Sequence, residues 1–206
     1  MDVEAHNGNT YLTFKNSNLK LEHSFLFEPN PNSFELLKNK VKITSGDVST
    51  FNIAISDHAG KVIMEDKDTM SKVIEYDWSD SVPSDCDLFF KTNCEPLDNY
   101  YHAFKNNTTI LKLDVEGHES EVLEGAKKIL KEQLADIIYI EVGFDKKNKQ
   151  QTYYREIEDT LNKYQYYLFR IYEQKNEWIK NSILLRRANF AFVSKKFSDV
   201  TPYRKT

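Results

Sequence analysis

Residues 109–142 constrain this chain more than any other stretch. Thr109-Ile110-Leu111-Lys112-Leu113 reads as a short apolar strand, and Asp114-Val115-Glu116-Gly117 as the polar turn that follows it. Glu119 to Lys131 then has helical periodicity, with Val122, Leu123, Ala126, Ile129 and Leu130 on one apolar stripe. Glu119 and Glu121 stand in its first turn and Lys127, Lys128 and Lys131 towards its end, the arrangement that suits the helix dipole. Ile137 to Val142 reads as a second buried strand. Two apolar strands joined through an amphipathic helix make a crossover unit. Such a unit is right-handed and places its strands parallel.

The rest of the chain repeats that alternation. Met1 to Ala5 ends a strand, and His6-Asn7-Gly8-Asn9 turns away from it. Phe25-Leu26-Phe27 is a short buried strand that stops at Glu28-Pro29. Ser33 to Asn39 predicts a helix, with Phe34, Leu37 and Val41 on one side. Phe51 to Ser56 predicts a third strand, Asp57-His58-Ala59-Gly60 a turn, and Lys61 to Glu65 a hairpin arm. Residues 66–95, with Trp78, Pro83, Cys86 and Cys94, read as a long loop or insertion. Thr152 to Tyr164 predicts a helix, and Tyr166 to Tyr172 with Asn189 to Ser194 an antiparallel strand pair. The expected architecture is α/β: a Rossmann-like, mostly parallel seven-stranded sheet with helices on both faces and a C-terminal antiparallel pair. No repeat or long linker divides the 206 residues, so one domain over 1–206 is expected.

In open sheets of this kind ligands sit at the carboxyl ends of the strands. That rule puts Asp2 to Gly8, Glu28, Ser56-Asp57, Asp114 to His118 and Glu141 on the functional rim. The turn at Gly8 lets backbone N–H groups approach a ligand, and Gly117 lets the chain turn tightly. Glu28, about 20 residues beyond the first turn, is placed to accept hydrogen bonds from both hydroxyls of a ribose. Asp114 and Glu116 set two carboxylates two residues apart at a strand end. Their plainer reading is a helix cap and a favourable dipole charge. His118 is a candidate base, although a histidine in a turn is more often a surface residue.

Three of these stretches, taken in order, resemble the FkbM family of methyltransferases. Asp2 to Thr10 is similar to its first cofactor motif, Phe27-Glu28-Pro29-Asn30-Pro31 to its ribose segment, and Leu111 to Glu119 to its D-x-E-G-x-E signature. Asn52 to Asp57 with Gly60 resembles its third-strand segment, and Pro96-Leu97-Asp98-Asn99-Tyr100 its L-D-x-Y element. The resemblance runs from residue 2 to about residue 145. It implies a class I methyltransferase fold, S-adenosylmethionine (SAM) as cofactor, and O-methylation of a hydroxyl on a sugar, polyketide or other small molecule. By position it implies that Asp2, Ala5 and Gly8 line the methionine and ribose end of SAM, that Glu28 holds the ribose, and that Asp57 or Asp47 lies near adenine. Asp114, Glu116 and His118 would then be the catalytic candidates. This chain has Glu4 where the family usually has glycine, and it begins directly at the first motif, without the segment that helps relatives cover the substrate. A divergent or truncated, non-catalytic binding module is therefore the second reading.

Composition removes other classes. The net charge of −4, with only short, scattered basic pairs, speaks against a nucleic-acid partner. No G-x-G-x-x-G turn supports a nicotinamide oxidoreductase. No apolar run reaches the length of a membrane span, and no apolar signal stretch opens the chain, so a cytoplasmic protein is expected. Cys86 and Cys94 match neither a zinc knuckle nor a C-x-x-C pair and are expected as free thiols. No metal site is expected: a divalent cation would have to sit on Asp114 and a neighbouring carboxylate, without a diagnostic ligand set. The acceptor molecule and the oligomeric state leave no mark on the sequence.

Overall fold

The structure is a computed structural model describing all residues except 18–19, 45, 68–69, 75–88, 106, 149, 177–182 and 202–206. The fold is mixed α/β with a large, mostly parallel sheet, as expected. The chain packs as two compact units, Met1–Pro96 and Leu97–Thr206. Among the described residues no helix is long and apolar enough to cross a membrane.

In the first unit, β1 (Asp2–Val3), β2 (Ser24–Phe27) and β3 (Val48–Phe51) run parallel, with Val3 beside Phe27 and Phe27 beside Phe51. Helix α1 (Asn9–Asn16) follows β1, and α2 (Pro31–Lys42) follows β2. The start of α2 is written locally. Asn30 is its N-cap and accepts from the N–H groups of Asn32 and Ser33, while Pro31 takes a position where no N–H is needed. Leu26, Tyr11, Leu37 and Ala5 form the core between these elements.

The expected third strand over residues 51–56 is two strands in two sheets. It breaks at Asn52, whose side-chain amide donates to the backbone carbonyls of Glu28 (2.8 Å) and Pro29 (3.1 Å). Beyond the break, β4 (Ala54–Ser56) enters a second sheet of order β4-β7-β5-β6, with β5 at Gly60–Lys67, β6 at Met70–Ile74 and β7 at Phe89–Pro96. Within the expected loop over 66–95, the described residues 66–67, 70–74 and 89–95 are strand, while Trp78, Pro83 and Cys86 lie outside the described residues. The polar run Thr92-Asn93 hid β7, yet Cys94 packs with Ala54, Val62 and Met64, and Phe90 leans on that core. Cys94 is a buried free thiol.

In the second unit, β8 (Ile110–Leu113) and β9 (Ile137–Gly143) are parallel, with Leu113 beside Ile140. β11 (Leu185–Ser194) runs antiparallel to β9 and to β10 (Tyr166–Asn176), the expected C-terminal pair. The helix expected over 119–131 is two, α3 (Glu119–Glu124) and α4 (Lys127–Lys131), parted at Gly125-Ala126. The apolar stripe survives the break, since Val122, Leu123, Ala126, Ile129 and Leu130 are all fully buried. A 3-10 helix over Leu97–Phe104 makes the break tenable: both oxygens of Asp98 accept from α4, from Lys128 N–H at 2.9 Å and Ile129 N–H at 3.0 Å. Helix α5 (Tyr154–Lys163) and a short α6 (Lys195–Val200) complete the unit.

Candidate functional site

In the first unit Asp2, Ala5, Gly8 and Glu28, of the residues expected at the cofactor, gather around one turn. Glu4, His6 and Gly8 all have positive φ, +58°, +48° and +81°. This alternation coils the chain so that the Gly8 N–H reaches the Ala5 carbonyl at 2.8 Å and the Ala5 N–H reaches the Phe27 carbonyl at 2.8 Å. Glycine is favoured at position 8, because φ +81° strains any other L residue and a Cβ there would push on the Leu37 Cδ1 methyl at 2.8 Å. Glu4 occupies a conformation that glycine adopts freely and other L residues adopt at a cost. The glycine usual at this place in the resembling family thus has a backbone reason.

Glu28 is buried, and its two oxygens are clamped by backbone N–H groups: Oε2 accepts from His6 at 2.7 Å and Oε1 from Asn30 at 2.8 Å. The clamp ties Glu28 to the 4–8 turn and fixes where its oxygens point. Asp2 is buried beside the same turn, on β1. Asp57 lies at the end of β4 in the other sheet of this unit. It accepts from Ser56 Oγ at 3.1 Å and contacts His58 Nδ1 at 2.6 Å, and the His58 contact holds its carboxyl below the ordinary range.

In the second unit, strand register builds a polar face. Lys112 pairs with Tyr139 across β8 and β9, so two residues on, Asp114 and Glu141 share that face. Glu141 in turn pairs with Asn189 of β11, and Arg187, two residues away, turns to the same side. Arg187 makes an ion pair with Glu141 Oε1, and the buried Lys112 ammonium lies 3.3 Å from Asp114 Oδ2. Glu116 joins them because the turn after β8 bends sharply, with Glu116 at φ +48° and Gly117 at φ +97°. Asp114, Glu116 and Glu141 each bring an oxygen within 4.8 Å of the other two, an arrangement able to hold a metal ion. Burial first, and the neighbouring Asp114 carboxylate second, push both Glu116 and Glu141 up to about 7.

The third acid of the signature, Glu119, does different work. It is fully buried at the start of α3 and accepts from Gly117 N–H (3.1 Å), Thr152 N–H (3.1 Å) and Thr152 Oγ1 (2.6 Å). It ties the 114–118 turn to the segment before α5. Gln151 of that segment donates to Glu116 Oε2 at 3.4 Å. His118 sits at the N-cap of α3, with Nδ1 at 3.5 Å from Glu121. The structure therefore groups Asp114 with Glu116 and adds Glu141, a rim position that the sequence reading did not take as a site residue. Its signal was present: Tyr139 and Glu141, two residues apart, break an otherwise apolar strand.

Comparison with known proteins shows the family and the fold. The model of the methyltransferase FkbM domain matches residues 2–168. The hexuronic acid methyltransferase AglP of Haloferax volcanii is 30% identical over 125 residues, 60% of this chain and 49% of that protein. The crystal structure of methyltransferase FkbM from Methylobacillus flagellatus KT superposes with a TM-score of 0.57 at 15% identity, over 92% of this chain and 42% of that one. At that identity the likeness speaks for the fold. The chain spans about half the length of the curated relative.

Proposed function

We propose, from a chain that belongs to the methyltransferase FkbM family, that this protein transfers a methyl group from SAM to a hydroxyl of a sugar or other small molecule. The observation that carries the reading is the turn after β8, which gathers Asp114 and Glu116 with Glu141 at a strand end. SAM is the cofactor of this family. The residues present fit it at Glu28, a buried carboxylate whose two oxygens are fixed by the His6 and Asn30 N–H groups beside the 4–8 turn, at the strand end expected for a ribose. When bound, SAM supplies a methyl group on a positively charged sulfur, already activated for in-line displacement. Within this reading Asp2, Ala5 and Gly8 line the cofactor, Glu28 accepts from its ribose, and Asp57 serves the adenine end.

The protein's remaining tasks are to position an acceptor oxygen and to take its proton. Asp114 is the first candidate base, then Glu116, then His118. A sugar acceptor is supported by the relative named as a hexuronic acid methyltransferase. The test is Asp114→Asn, assayed for methyl transfer to a panel of uronic acids and neutral sugars. The variant is expected to keep SAM binding and lose transfer by at least about 100-fold. Full turnover in that variant would remove Asp114 from the reaction.

A further inference from the structure

We propose that Asp114, Glu116 and Glu141 form a binding site for one hard divalent cation, of the magnesium, manganese or calcium class. Carboxylates gathered at a strand end do not make such a site by themselves. What points to a ligand here is Glu141. Its side chain is 6% exposed, its Oε1 is taken by Arg187, and its Oε2 is buried without a hydrogen-bond partner among the described residues. A bare carboxylate oxygen in that position is costly unless something positive meets it.

The other two acids repeat the pattern. Lys112 stands on Asp114 Oδ2 at 3.3 Å, and Gln151 donates to Glu116 Oε2 at 3.4 Å. Each carboxylate thus has one oxygen engaged by a neighbouring side chain. This is how outer partners orient metal-binding carboxylates. Spacing agrees as well. Two oxygens on opposite sides of a cation at about 2.0–2.6 Å lie at most about 5.2 Å apart, and one oxygen from each of the three residues lies within 4.8 Å of the other two. An all-oxygen set selects a hard cation over zinc or copper. Such an ion would polarise an acceptor hydroxyl and lower its pKa. The site deepens the methyl-transfer reading by sharing Asp114 and Glu116, but its test does not depend on that reading.

The full chain, freed of metal with a chelator, is titrated with Mn²⁺ and followed by electron paramagnetic resonance and thermal shift. One saturable ion per chain is expected, with a matching rise in melting temperature. Glu141→Gln and, separately, Glu116→Gln are each expected to weaken binding at least tenfold, while Glu35→Gln on the exposed face of α2 leaves it unchanged. Glu116→Gln decides the matter if Glu141→Gln does not fold. Absence of saturable binding at millimolar Mn²⁺, or binding that neither variant weakens, would overturn the proposal. SAM binding in metal-free buffer, measured in parallel, reports on the methyl-transfer reading alone, so the two can fail separately.

Discussion

Glu119 reaches from the start of α3 to Thr152 and accepts from both its N–H (3.1 Å) and its hydroxyl (2.6 Å). The third acid of the signature is therefore a structural tie between the 114–118 turn and the segment that carries Gln151. Glu119→Ala should leave the Thr152 and Gly117 N–H groups without their acceptor and cost about 2–4 kcal/mol. Urea unfolding checks this. A loss below about 1 kcal/mol would mean that the tie is dispensable.

The same residue gives a pH dependence. Burial raises the Glu119 carboxyl above the ordinary carboxylate range. A carboxyl whose pKa is higher in the folded state favours folding while protonated. Its contribution is full below the unfolded pKa, near 4.5, and is lost as pH rises through the folded value. The fall in stability from about pH 4.5 upward should be shallower in Glu119→Gln than in the parent. An unchanged slope would show that other groups carry it.

Glu4 at φ +58° carries the cost of a left-handed L residue, about 1–2 kcal/mol, against about 0.5–1 kcal/mol of chain entropy that glycine would add. Glu4→Gly is therefore expected to keep or slightly raise the melting temperature, and to raise SAM affinity by removing a carboxylate from the cofactor turn. Loss of stability would show that the Glu4 side chain contributes more than its backbone costs. Unchanged SAM affinity would show that Glu4 does not weaken the cofactor site.

Asp98 holds the first N–H groups of α4 with both oxygens. Asp98→Ala should cost about 1–2 kcal/mol, a fall of roughly 2–8 °C in melting temperature, with SAM binding unchanged. A selective loss of SAM binding would instead give the L-D-x-Y element a role at the cofactor.

The sequence shows the crossover unit over 109–142 plainly because its strands are buried on both faces and read as continuous apolar runs. Gly8 and Gly117 were legible for a related reason: each stands at positive φ in a polar turn. What escaped depends on partners distant in sequence. Asn52 ends β3 because its amide finds the carbonyls of Glu28 and Pro29, and nothing near residue 52 announces this. The break at Gly125 depends on Asp98, 30 residues before Lys128. Glu141 enters the carboxylate group only through strand register, which sets Tyr139 beside Lys112 and so carries Glu141 to the side of Asp114.

The most direct test of the central claim is a thermal-shift titration of the whole chain with SAM, S-adenosylhomocysteine and NAD. A ligand at about 100 times its dissociation constant adds about 2.7 kcal/mol, or roughly 5–10 °C for a chain of this size. A rise with both adenosyl ligands and none with NAD, reduced at least tenfold in apparent affinity by Glu28→Gln, is the expected result. No rise with either adenosyl ligand would contradict the account.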